Sequence, residues 1–327
     1  MVRVIKAAII GFGNVGRRLF LETLGNPFID VTIVSSSKGS VYIRGLRELR
    51  AVEALAREDK KLDSYEGLVS VDPVDAVEEG GVDVAFIAIP PSYESGEPNY
   101  SMYRSIVNRG VDIVTADKTV LALDYHGFLS YAETRGVRIG YSATVAAGIP
   151  AIDTARALRY RGVERVEAVL NATTNYIITL VEEGLSYEEA LERAVKEKLA
   201  EPDPRVDTHG WDPAAKLSIL LSTLGYKVTL RDVERIPLEE VADPDRARKA
   251  VSRDMRIRYV AHADLKRGEY RVEPLEIPEN DPLAKTHGIY NTIKYHLEGE
   301  TITLSGPVGP AWRTAKVMIS DALQITV

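Results

Sequence analysis

The sequence predicts an α/β protein, with a doubly wound parallel sheet in the first domain and a second domain of α+β character. Three observations carry this prediction. A glycine-rich turn joins a strand to a helix at the start of the chain, apolar runs then alternate with helical patterns to about residue 135, and that rhythm breaks afterwards. The expected domains are 1–135, 136–304 and 305–327, the last a helix that returns to the first domain.

At 327 residues and 45% hydrophobic content, the chain is long enough to bury two sizeable cores. A formal charge of -7 lacks the basic excess that neutralises nucleic-acid phosphates, so no nucleic-acid partner is expected. Cysteine is absent, which excludes disulfides, thiolate metal sites and cysteine nucleophiles. The apolar run after Arg3 and Lys6 breaks at Gly11 and reads as a strand rather than a signal peptide. No run approaches membrane-spanning length, so a cytoplasmic protein with no membrane partner is expected. The lack of cysteine, the lone Gln324 and 27% charged residues suit a heat-adapted protein.

The first strand, Val4 to Ile10, enters "GFGNVG" and then a helix. An ordinary βα turn is the plain alternative. The placement of Gly11, Gly13 and Gly16 between first strand and first helix favours a dinucleotide loop, in which Gly11, Phe12, Gly13, Asn14, Val15 and Gly16 cradle a pyrophosphate at the helix N-terminus. A second strand covers 31–34 and ends in Ser35-Ser36-Ser37-Lys38-Gly39. No acid stands there to hold a ribose diol. Hydroxyls and Lys38 suit a 2′-phosphate instead, so NADP(H) is favoured over NAD(H), with Ser35 and Lys38 as contacts. Further strands at 82–89 and 111–115 flank a helix around Tyr100 to Val107. Ligands of such sheets lie beyond the carboxyl ends of the strands, so the loops carrying Pro90 and Lys118 point at the cofactor crevice.

Past residue 140, "ATVAAGIP" supplies small residues that permit close backbone approach. Ser186 and Glu189 form a capping-box pattern for a helix running to about Lys198. "EPDPRVDTHGWDPAAK", 201–216, then sets Glu201, Asp203, Asp207 and Asp212 before Lys216. By local pattern this is a solvated loop, with Asp212 as N-cap and Pro213 in the first turn. The apolar "AKLSILLSTLG" that follows predicts a buried helix, which fixes Lys216 on a rigid element. Residues 231–300 read as strands interrupted by Pro274, Pro278 and Pro282, and a glycine turn at Gly306 leads into the terminal helix. Five scattered histidines show no metal-ligand spacing.

Taken together, GFGNVG (11–16), SGEP (95–98), TADK (115–118), ATVAAGIP (143–150), NATTNY (171–176) and the 201–216 block resemble the homoserine dehydrogenase family over nearly the whole chain. The resemblance implies a Rossmann-type first domain and a substrate and dimerisation domain after it. It implies NAD(P)-dependent hydride transfer between L-homoserine and L-aspartate 4-semialdehyde, in threonine and methionine biosynthesis, by a homodimer. By the same resemblance Lys216 is the proton donor and Lys118 its electrostatic helper, while Glu201, Asp207, Asp212, Thr173 and Ala172 bind substrate. A carboxylate cluster answers the α-ammonium of the amino acid. Asp203 and Arg205 shape the loop. Gly11 to Gly16, Ser35, Lys38, Pro90, Lys118 and Gly306 hold the cofactor, and the main chain of Val145, Ala147 and Ile149 holds a monovalent cation. Departures are Ser142 for a glutamate beside that cation, Leu199 for a tyrosine, Ala172 for a glycine and Asp117 for an asparagine. Without cysteine the chemistry stops at aldehyde and alcohol. The chain ends soon after the last catalytic element, so no regulatory domain is expected. Two other readings remain: a different lysine-dependent Rossmann oxidoreductase of a small amino acid or sugar, which would lack the carboxylates around Lys216, and a dinucleotide sensor, which would lack a converged acid and base.

Overall fold

The computed structural model describes residues 4–197, 199–200, 204–240 and 243–326. Glu201 and Asp203 lie outside the described residues. The chain forms two compact units, 1–147 with 309–327, and 148–308. These divisions fall later than the change of sequence rhythm. A short strand at 139–140 still pairs in the first sheet, and the last strand of the second sheet runs through Pro307.

The first unit opens with β1 (Ile5–Ile10), which is buried but for Lys6, and α1 (Asn14–Thr23). Gly16, Leu19, Phe20 and Thr23 form the buried stripe of α1, at the spacing expected of an amphipathic helix. There follow β2 (Ile29–Ser36), β3 (Gly39–Tyr42), α2 (Leu46–Arg57), α3 (Pro73–Gly80), β4 (Val84–Ile87), α4 (Asn99–Asn108), β5 (Asp112–Thr115), α5 (Thr119–Glu133) and β6 (Ile139–Gly140). The sheet order is β3-β2-β1-β4-β5-β6, parallel except for the β2–β3 hairpin. Order reverses between β1 and β4, which makes the ends of those strands the switch point of the sheet. The edge hairpin was not expected from sequence, because "KGSVY" is short and only its pairing with β2 makes it a strand.

The second unit contains α6 (Ala151–Leu158), β7 (Arg165–Val169), α7 (Ala172–Glu182), α8 (Tyr187–Lys196), α9 (Arg205–Thr208), α10 (Trp211–Thr223), β8 (Glu234–Arg235), α11 (Pro244–Val251), β9 (Met255–Asp264), β10 (Glu269–Pro278), β11 (Tyr290–Leu297) and β12 (Glu300–Pro307). Its sheet runs β12-β11-β7-β9-β10-β8 and is antiparallel apart from the two-residue β8. Pro274 does not break this sheet as sequence suggested. It lies inside β10 opposite Tyr259, and β8 pairs only with Arg271 and Val272, so the missing N–H costs no ladder bond on that side. Ser186 and Glu189 make the reciprocal capping box at α8.

The chain then returns to the first unit as α12 (Ala311–Thr326), which buries Ala315, Met318, Ile319 and Ala322 in the core shared with Leu19 and Phe20. Asp321 of this helix accepts the backbone N–H of Ser142 at 2.7 Å. Among the described residues no helix is long and apolar enough to cross a membrane.

Candidate active site

In the second unit, β7 ends and α7 begins across Leu170 and Asn171. Asn171 is the N-cap, extended at φ -131° and ψ 116°, and its side-chain oxygen accepts the Thr174 N–H at 2.9 Å. Its amide nitrogen is left to donate outward. It gives one hydrogen bond to Asp207 Oδ1 at 2.6 Å and one to Asp212 Oδ2 at 2.9 Å. A buried asparagine thus fastens together two carboxylates from α9 and α10.

Lys216 lies one turn beyond Asp212 on α10. Its Nζ is 2.7 Å from Asp212 Oδ2 and donates to the Leu170 carbonyl at 2.7 Å. The side chain is 15% exposed, so the expectation of a rigidly held lysine rather than a solvated one is met. The expected N-cap is displaced. α10 starts at Trp211 behind Gly210, whose φ of 77° lies in the left-handed region, and a Cβ there would stand 2.6 Å from the Tyr259 hydroxyl. Asp212 is therefore inside the first turn, and its carboxylate serves Asn171 and Lys216 instead of capping. Arg235 stacks on Trp211 with its guanidinium carbon 3.7 Å from the ring centroid, which braces the start of the helix.

Thr173 sits at the second position of α7 and donates to the Leu199 carbonyl at 2.9 Å. It also hydrogen-bonds to Asp207. Ala172, beside it, is partly exposed at the helix start. Burial pushes the Asp207 carboxyl above the usual carboxylate range, and the neighbouring Asp212 charge pushes the same way. Hydrogen bonds from Asn171 and Thr173 and the charge of Lys216 oppose that rise without cancelling it. Sequence reasoning missed Asn171 as a member of this cluster. Its only signal was an N-cap residue type at the strand-to-helix step, and such residues ordinarily look inward to their own helix.

In the first unit, the glycine loop explains itself differently at each position. A Cβ on Gly11 would stand 2.2 Å from the Ala88 carbonyl oxygen, and one on Gly16 would stand 1.8 Å from that of Gly11. Both are packing requirements of a tight βα turn. Gly13 is different, since its φ is -83° and a Cβ would meet nothing within 4 Å. Neither backbone strain nor internal space demands glycine there. The open backbone at the N-terminus of α1, with no side chain capping its amides, fits the approach of a phosphate group. Phe12 is buried, and Asn14 and Val15 begin the helix.

Beyond β2, Ser35 differs from expectation. It is fully buried and shares a hydrogen bond with the Ser40 hydroxyl at 2.8 Å inside the β2–β3 hairpin, so it does not face a ligand. Ser37 and Lys38 are exposed at the hairpin tip. Lys118 is partly buried at the N-cap of α5, and the Pro90 carbonyl accepts a hydrogen bond from Asn99 at 3.0 Å. Gly306, expected in a turn at the cofactor, belongs to β12 of the second unit opposite Asn291. A Cβ there would stand 2.5 Å from Ile149 Cγ2, which accounts for the glycine without a ligand.

Of the expected cation carbonyls, Val145 and Ala147 belong to the first unit and Ile149 to the second. The Ser142 hydroxyl is buried without a hydrogen-bond partner and brings no charge. The carboxylate bonded to that residue, Asp321, is turned to its backbone N–H. Among the described residues no group of three or more histidines or carboxylates could hold a metal ion.

Residues 150–323 match the sequence profile of the family described as homoserine dehydrogenase. A homoserine dehydrogenase of Sulfurisphaera tokodaii is 32% identical over 326 residues, covering 98% of each chain. An NAD(+)-dependent homoserine dehydrogenase of Pseudomonas canavaninivorans is 28% identical, covering 98% of this chain and 96% of the relative. A solved structure of a hyperthermophilic archaeal homoserine dehydrogenase in complex with NADPH superposes with a TM-score of 0.83 at 25% identity, over 98% of this chain and 97% of that one.

Proposed function

The chain belongs to the homoserine dehydrogenase family, and from that premise we propose how its residues divide the interconversion of L-homoserine and L-aspartate 4-semialdehyde. It is an NAD(P)-dependent oxidoreductase. When bound, the nicotinamide dinucleotide supplies or accepts the hydride. The chain's own part is to bind the amino acid, orient its reacting carbon and move one proton.

Asp207 and Asp212 receive the α-ammonium by charge-assisted hydrogen bonds, with Glu201 as a third carboxylate from sequence. Thr173 and Ala172 line the reacting end. Lys216 donates a proton to the alkoxide in the reductive direction and, neutral, accepts it from the alcohol in oxidation. Lys118 stabilises the developing negative charge. The observation that carries this reading is the Asn171 bridge. It sets two carboxylates as one anionic wall beside a lysine fixed at two points. Neither a bare nucleotide sensor nor a sugar oxidoreductase needs such a wall. Homoserine-dependent reduction of NADP(+) is the direct test. Turnover of another amino alcohol, or of a sugar, with none of homoserine would overturn the substrate assignment.

NADP(H) is the favoured cofactor because no acid ends β2 and Lys38 is exposed beyond it. A monovalent cation is left out of the mechanism, since Ser142 offers no carboxylate to back one. A homodimer through the second unit is supported by Ile289 and Tyr290, 46% and 47% exposed where β11 begins. Sedimentation at micromolar concentration checks it. The product of the reductive direction is the precursor expected for threonine and methionine synthesis.

A further inference from the structure

Asp117, one residue before Lys118, is 3% exposed and is not used by the mechanism above. Its carboxylate collects four hydrogen bonds. Oδ1 accepts from the Thr119 N–H at 3.0 Å and the Thr119 hydroxyl at 2.7 Å, while Oδ2 accepts from Asn99 Nδ2 at 3.1 Å and the Tyr103 hydroxyl at 3.2 Å.

Donor and acceptor accounting fixes the chemistry of this position. The Thr119 hydroxyl oxygen already receives the Ser92 N–H at 2.9 Å and Asn99 Nδ2 at 3.2 Å, so its own proton turns to Asp117. One arm of residue 117 therefore faces the Thr119 N–H and hydroxyl, and the other faces the Asn99 amide, whose two protons are shared among Asp117, Thr119 and the Pro90 carbonyl. An amide would set its NH₂ against one of these donors. A carboxylate accepts on both arms. Burial pushes its pKa up, and the hydrogen bonds from Thr119 and Asn99 with the charge of Lys118 oppose that rise.

The same bonds tie two loops together. Asn99 also donates to the Pro90 carbonyl, and Ser92 is held by Thr119, so the segment after β4 and the turn that carries Lys118 after β5 are fastened to one buried carboxyl group. β4 and β5 are parallel neighbours, and β4 lies beside β1, which ends in the glycine loop. Ligands of such sheets bind beyond these strand ends. We propose that Asp117 is a positioning residue for the nicotinamide half of the dinucleotide, holding the Pro90–Ser92 segment and the Lys118 turn as one preformed wall. This rests on the first unit's binding a nicotinamide dinucleotide and not on the identity of the amino-acid substrate.

The test compares wild type, Asp117→Asn and Tyr103→Phe by fluorescence titration with NADPH and with 2′,5′-ADP, which lacks the nicotinamide half. Asp117→Asn is expected to weaken NADPH binding about ten-fold, the loss expected for one charge-assisted contact. Binding of 2′,5′-ADP should change less than two-fold. Tyr103→Phe removes one donor and should weaken NADPH two- to five-fold with the same selectivity. It serves alone if the asparagine variant does not fold. Unchanged NADPH affinity overturns the proposal, and so does equal weakening of both ligands, which marks a merely structural role. Turnover of homoserine is read separately. Its absence in wild type with NADPH binding intact would sink the substrate assignment and leave the Asp117 result standing.

Discussion

The ammonium of Lys216 and the carbonyl of Leu170 are 2.7 Å apart, so the candidate acid is tethered to the residue just before the N-cap of α7. Asp212, one turn back on its own helix, holds it as well, with Oδ2 2.7 Å from the same nitrogen. A lysine with two fixed acceptors presents its charge from one place. That is the preorganisation which acid catalysis requires.

Removing that acid should separate chemistry from cofactor binding. Lys216→Ala is expected to lower kcat by about 100-fold or more, the usual worth of a positioned general acid. NADP(H) binding should stay within a few-fold, because the lysine belongs to the second unit. Steady-state kinetics with a nucleotide titration checks both. Turnover near that of wild type would take Lys216 out of the mechanism.

Asn171 performs two tasks that substitution can split. Asn171→Ala removes the cap and should cost about 1 kcal/mol of stability, and it should also raise KM for homoserine. Asn171→Asp keeps a capping oxygen but sets a third carboxylate against Asp207 and Asp212. It should leave α7 capped and disturb the anionic wall more than alanine does. Thermal melts beside KM values decide the matter, and equal KM values in the two variants would remove the bridge from substrate binding.

The raised Asp207 pKa has a sign for binding and another for stability. Binding an ammonium needs the ionised form, so homoserine affinity should fall as pH drops through the raised value, which happens nearer neutrality than for an ordinary carboxylate. The folded, ligand-free protein favours the protonated form more than the unfolded chain does. The stability gained from that protonation is present at low pH and is lost as pH rises through the folded value. Asp207→Asn should therefore raise Tm at neutral pH while weakening homoserine binding. A lowered Tm at neutral pH would contradict the burial argument.

The cofactor prediction rests on Lys38. Wild type should bind NADP more tightly than NAD by about ten-fold, one charge-assisted contact at an exposed site. Lys38→Ala should remove most of that preference. Ser35→Ala should leave it unchanged, since the Ser35 hydroxyl is spent on Ser40. Titration of both nucleotides settles it, and a preference that survives Lys38→Ala would assign the ribose to another residue.

Local pattern read some of this molecule well and some of it poorly. The glycine loop, the capping box at Ser186 and the buried helix behind Lys216 were legible because each is written in contiguous residue types. The role of Asn171 was not, because its partners stand 36 and 41 residues away and only the fold brings them near. Ser35 misled for the opposite reason. Its residue type suits a ribose, but the partner that occupies it comes from β3, a strand too short to be seen in sequence. The start of α10 shifted because Asp-Pro imitates a cap, whereas the left-handed turn at Gly210 had already begun the helix.

The return of α12 to the first unit has a consequence for synthesis. The first unit is begun before the second is made, yet its core lacks Ala315, Met318, Ile319 and Ala322 until residues 148–308 have been translated as well. The second unit, 148–308, is complete in sequence before then. The unit begun earlier is thus finished later, and during translation an apolar stripe on α1 waits for a helix that follows the whole second unit in sequence. A nascent chain stalled before residue 311 should hold a folded second unit beside a first unit that chaperones still recognise.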